Sequence, residues 1–226
     1  MDEKLLTEIG NYFSTKYSPE CGKPAYVGDG IVNVAEYQNT SPKILWILKE
    51  VNAANPERPW SVCKWLAEDN WTKEYPEWKR TYSKLLKTTW AILNKRWDNI
   101  PPAERITDII RKIAYINIKK TAGKAKSKDT EINRYFNEEK DMILKQIEAI
   151  APDIIINASH VERILNKGAL NVSDRQYVNP FMIGYQITQH KKRVVLNVYH
   201  SNCRISDVQY IGLIKQCFEK LQGDAL

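Results

Sequence analysis

Four short segments of this chain have apolar centres with no polar interruption: Ile44–Leu48 (ILWIL), Ile113–Ile118 (IAYINI), Asp153–Asn157 (DIIIN) and Arg193–Tyr199 (RVVLNVY). Each is too short for a buried helix, rich in Ile and Val, and bounded by polar or turn residues, which reads as strand. A strand with one wet face alternates apolar and polar residues; these do not, so both faces must be covered. Parallel sheets sandwiched between helices have that property. The expected fold class is therefore α/β, a three-layer α/β/α arrangement with a central four-stranded, mainly parallel sheet.

The intervening segments supply the helices. In Asp129–Ile150, residues Ile132, Phe136, Met142, Ile143, Ile147 and Ile150 trace one stripe at helical spacing, and Pro152 stops it before the third strand. Trp60–Asp69 and Trp78–Lys95 carry the same spacing, and Ser206–Leu221 closes the chain as a helix after the fourth strand. A short helix is expected between the third and fourth strands. Right-handed crossovers then put helices on both sheet faces. Ser18–Thr40 is less regular, with a small hairpin expected around GDG, and Ala122–Lys128 (AGKAKSK) is a small basic segment. Without an internal repeat or linker, residues 1–226 are expected to form one domain, with 1–42 as an N-terminal helix and irregular extension.

Thirty-four Lys and Arg face 27 Asp and Glu, a formal charge of +7. This suits a polyanionic partner through counterion release, and equally a merely basic solvated surface. No apolar run reaches the roughly 18 residues of a membrane span, and MDEKLLTEIGNYF has no signal-peptide core. A cytoplasmic protein without a membrane partner is expected. The cysteines, Cys21, Cys63, Cys203 and Cys217, form no CxxC pair and have no histidine at zinc spacing, so they read as free thiols without structural metal.

In open parallel sheets ligands bind beyond the carboxyl ends of the strands. The residues there are Lys49-Glu50-Val51-Asn52, Asn117-Ile118-Lys119-Lys120, Ala158-Ser159-His160 and His200-Ser201-Asn202-Cys203. Glu50 suits orientation of a water or stabilisation of a developing positive charge, and equally a helix-start carboxylate. Asn117 carries donors and an acceptor, as reading a base edge requires, or caps a strand-end turn. His200 can donate a hydrogen bond to a departing group. His190, within HKKR, reads as part of a basic turn.

From about Lys43 onward, the order of these motifs resembles the uracil-DNA glycosylase superfamily. ILWIL followed by Lys49-Glu50-Val51-Asn52 is similar to the family's first motif, Gly-Glu-x-Pro-Gly or Gly-Gln-Asp-Pro, with Glu50 on the Glu of the former. INIKKTAGKAKS is similar to the second strand and loop, with Asn117 on the base-reading asparagine. ILKQIEAIAPDIIINAS resembles the helix, proline and third strand. VVLNVYHSNCR resembles the last motif, with His200 on its histidine. This sequence departs from the family at Lys49, at Val51-Asn52 and at Ser201, where Gly, Pro and Pro are usual. Thr121 stands where some relatives place a cysteine that holds an iron–sulfur cluster. Arg58-Pro59-Trp60 resembles an Arg-Pro-Phe element whose aromatic ring stacks on the base.

The resemblance implies a monofunctional DNA glycosylase without metal or cofactor. It would excise uracil or a modified pyrimidine from single- or double-stranded DNA and leave an abasic site, in repair or in defence against modified viral DNA. Glu50 and His200 would be catalytic, with Asn117 and Trp60 binding the base. Lys119, Lys120, Lys124, Lys126, Ser201, Asn202 and Arg204 would contact DNA, and no obligatory protein partner is implied. The alternative is a catalytically weak nucleic-acid-binding module on the same fold. A phosphotransferase reading has no GxxxxGK[ST] loop or GxGxxG turn to rest on.

Overall fold

The computed structural model describes residues 1–53, 58–68, 70–123 and 126–223. Its elements run α1 (Glu3–Lys16), β1 (Val27–Gly28), β2 (Gly30–Ile31), α2 (Val34–Gln38), β3 (Ile44–Leu48), β4 (Trp60–Ser61), α3 (Val62–Ala67), α4 (Trp71–Glu74), α5 (Trp78–Asn94), β5 (Ile113–Asn117), α6 (Asp129–Ile150), β6 (Ile154–Asn157), β7 (Ser173–Val178), β8 (Phe181–Ile187), β9 (Lys192–Asn197) and α7 (Asp207–Gly223).

The fold is α/β, and the four apolar runs form adjacent parallel strands in the order β5-β3-β6-β9. Every residue of β3, β5 and β6 is buried. The sheet as a whole is larger than the expected four strands. Among the described residues it has seven, in the order β2-β5-β3-β6-β9-β8-β7, with β2, β8 and β7 antiparallel to their neighbours. The β7–β8 hairpin occupies a stretch expected to hold only a short helix, of which a 3-10 turn at Glu162–Leu165 exists. As the edge strand, β7 leaves most of its residues exposed and lacks the apolar signature of a covered strand.

Side chains alternate between two packed layers. Trp46, Leu48, Tyr115 and Ile156 face α3, α4, α5 and α7. Leu45, Ile47, Ile116 and Ile155 face α2 and α6. Helix α1 lies outside α6, joined through Ile9, Phe13 and Tyr17. Helix α6 starts with Asp129 and Glu131 against the positive end of its dipole and ends on Ala151 at φ 53°, immediately before Pro152. The expected helix from Trp60 begins two residues later, because Ser61 caps it by accepting the Lys64 N–H at 3.2 Å.

The hairpin expected at GDG does not form: β1 pairs parallel with β4, and β2 pairs antiparallel with β5. One residue, Asp29, separates the two strands, too few for a hairpin turn. Gly30 takes φ 144°, a conformation open to glycine, and so turns the chain from one sheet to the other. Among the described residues no helix is long and apolar enough to cross a membrane.

Candidate functional site

The four parallel strands have the spatial order second, first, third, fourth. The chain therefore returns across β3 between β5 and β6, and a crevice opens beyond the carboxyl ends where the order reverses. A cavity of about 630 Å³ lies at that end of the sheet. Its walls include Glu50 after β3, Tyr115 of β5, His200 and Asn202 after β9, Trp60 at the start of the α3 segment, and Trp65, Tyr75 and Tyr82 from α3 to α5. A volume of this size, lined by aromatic rings together with polar and charged groups, suits a small organic ligand or an extruded base.

Glu50 is held from two sides. Its side chain is 4% exposed, and its Oε2 lies 2.8 Å from the Lys119 ammonium. On the other side is Gly123, whose backbone N–H donates to Val51 O at 2.8 Å. A Cβ at position 123 would fall 1.9 Å from Glu50 Cδ, so only glycine leaves room for this carboxylate.

Asn117 does not line the cavity, but it projects from the same sheet face as Tyr115, two residues away, which does. Asn117 is 1% exposed, and neither its Oδ1 nor its Nδ2 has a hydrogen-bond partner. A buried amide left unpaired costs about 1–3 kcal/mol. Its backbone is fixed independently, since its N–H donates to Asp29 Oδ2 at 2.7 Å.

His200 is half-buried. Burial first, and then the Lys49 charge, push its pKa down to about 4 against an opposing bond to Asn202, so the ring is neutral at physiological pH. Nδ1 lies 3.0 Å from Asn202 Oδ1 and 3.3 Å from the Asn202 N–H. The first contact needs Nδ1 protonated and the second needs it bare; accepting from the backbone leaves Nε2–H free to donate. The His200 N–H donates to His160 Nε2 at 3.3 Å, and His160 Nδ1 lies 3.8 Å from Asp129. Behind these loops, Asn157 Nδ2 donates to Asn197 Oδ1 at 2.7 Å, tying the ends of β6 and β9 together.

The aromatic cluster divides cleanly. Trp60 and Trp65 line the cavity, whereas Trp71 and Trp78 are buried in the core. Trp65 is fixed by its indole N–H, which donates to Glu74 at 2.7 Å.

The candidate DNA contacts separate by exposure. Lys126, Asn202 and Arg204 are exposed, and the first two line the cavity. Lys120 is not at the surface: its ammonium is fully buried, 2.8 Å from Asp29 Oδ1 and 2.8 Å from Gln146 Oε1. Lys119 is 9% exposed and paired with Glu50 and Glu131. Ser201 is buried with its Oγ unpartnered, so its hydroxyl is not presented to DNA. Lys124 lies outside the described residues.

Several lining residues were not singled out from the sequence. Tyr115 was within reach, because a strand places residues two apart on one face. Tyr75, Thr81 and Tyr82 were not, since helical spacing alone does not say which end of a helix borders a crevice. Compared with family models and with curated proteins, the chain finds a match in neither.

Proposed function

We propose that this chain is a monofunctional DNA glycosylase that extrudes a pyrimidine nucleotide into the cavity and hydrolyses its N-glycosidic bond, leaving an abasic site. The observation that carries the reading is the convergence of a fixed carboxylate, a neutral histidine and aromatic walls on one cavity, beside a buried amide with both atoms unpaired.

Extrusion costs about a few kcal/mol in lost stacking and pairing. Stacking against Trp60 offsets part of that, and the Asn117 amide, buried behind the wall at Tyr115, pairs with the base edge as that wall opens, which removes its desolvation penalty. As the C1′–N bond breaks, its electron pair leaves with the base and C1′ becomes oxocarbenium-like. The Glu50 carboxylate stabilises that charge and orients a water, whose oxygen bonds C1′ while its proton passes to solvent. The neutral His200 donates Nε2–H to the base anion. Lys126, Asn202 and Arg204 at the exposed rim are the phosphate and backbone contacts of this reading.

The cavity is large for a bare pyrimidine, which extends the substrate class from uracil to pyrimidines with a substituent directed towards Trp65 and Tyr75. The test is incubation of labelled single- and double-stranded DNA carrying uracil or modified pyrimidines, scored for alkali-labile sites, beside His200→Ala. Cleavage by the wild type that is lost in the variant supports the reading. DNA retained in a salt-sensitive way without cleavage favours the binding-module alternative.

A further inference from the structure

We propose that Lys119 is a positioning residue, whose ammonium fixes the Glu50 carboxylate in the cavity wall rather than contacting DNA. The inference rests on the glycosylase reading of the cavity.

Lys119 belongs to a segment that runs alongside the one carrying Glu50. Ile118 N–H donates to Leu48 O and Lys119 N–H to Lys49 O, each at 2.9 Å, and Asn52 bridges Gly123 in parallel. The backbone of residue 119 is thereby locked to that of residue 49, and its side chain reaches forward to the next carboxylate. The ion pair is enclosed, with 10% of the Lys119 side chain and 4% of the Glu50 side chain exposed. An ammonium so covered does not reach a phosphate.

Two further groups hold Lys119 in place. Glu131, in the first turn of α6, lies 2.9 Å from its Nζ, and the Tyr135 ring centre lies 5.5 Å away. Burial disfavours the charged amine, but the carboxylates of Glu131 and Glu50 outweigh it and raise its pKa above the ordinary lysine value. Gly123 packs closely on the Glu50 side chain as well. A carboxylate in contact with a fixed cation and packed closely on a bare glycine is restricted in position, which is what orienting a water requires.

The test compares Lys119→Met, Lys119→Arg and Glu131→Gln with the wild type in steady-state base release, after circular dichroism has established that each is folded. Lys119→Met lowers kcat about a hundred-fold while KM moves less than about threefold. Lys119→Arg, which keeps the charge, recovers most of that loss. Glu131→Gln, which removes one support of Lys119 but leaves its contact with Glu50, lowers kcat by less than about tenfold.

A rise in KM at constant kcat in Lys119→Met would make Lys119 a DNA contact. An equal loss of kcat in Glu131→Gln would make it a peg for α6. Either result overturns the proposal, as does unchanged kinetics. In parallel, the Glu50 carboxyl ¹³C resonance, assigned by its loss in Glu50→Gln, should move in Lys119→Met and return in Lys119→Arg. This arm needs no turnover: if the wild type releases no base, the glycosylase reading fails, and the resonance alone decides whether Lys119 fixes the carboxylate.

Discussion

Gly123→Ala is the smallest change that should disable the site without altering any charged group. The added methyl would lie 1.9 Å from Glu50 Cδ, 2.1 Å from Oε2 and 2.4 Å from Cγ. Backbone retreat is opposed by the Gly123 N–H bond to Val51 O and by the bridge to Asn52, so the side chain of Glu50 must yield. Ordinary carbon contact begins near about 3.5 Å, which requires a displacement of roughly 1.5 Å. That is enough to pull Oε2 off the Lys119 ammonium. Losing this buried ion-pair contact lowers stability, and misplacing a reacting group by about 1 Å costs on the order of a hundred-fold in rate. The assay is single-turnover base release together with urea unfolding. Gly123→Ala should fall to a rate similar to that of Glu50→Gln while remaining folded. A rate within about threefold of the wild type would refute the argument that Gly123 fixes this carboxylate.

Three more outcomes follow from the same geometry. Lys120→Met leaves Asp29 buried without its cation, and should cost about 3–5 kcal/mol in urea unfolding without changing the salt dependence of DNA binding. His200 binds fewer protons folded than unfolded, because its folded pKa of about 4 lies below the ordinary 6.5. Its contribution to stability is therefore complete above about 6.5 and declines as the pH falls towards 4, by at most about 3 kcal/mol before solvent screening. In His200→Gln, urea unfolding should show a flatter pH dependence across that window. Lys126→Ala and Arg204→Ala should each reduce the slope of log affinity against log salt by about 1, uniformly across sequences.

The centre of the fold was legible because burial on both faces leaves an unbroken apolar run, as in β3, β5 and β6. The sheet edges were not. β2 has two residues, and β7 mixes Asp174, Arg175 and an exposed Tyr177 because one side of an edge strand needs no cover.

The same division runs through the site. Glu50, Trp60 and His200 border one cavity because each follows or flanks an element that the sequence marks clearly. The lysines misled, since a sequence displays a charge without displaying its partner. The carboxylate of Lys120 is Asp29, 91 residues away, and Lys119 is shared by Glu50 and Glu131.

The most direct test of the central claim is mass-spectrometric detection of free base released from oligonucleotides that carry one uracil or one modified pyrimidine, with wild type, Asn117→Ala and His200→Ala compared. A glycosylase should give one free base and one abasic site per target for the wild type, strand breakage only after alkali, and a large loss of release in both variants. Failure to release base from any of these substrates, or release undiminished in both variants, would contradict it.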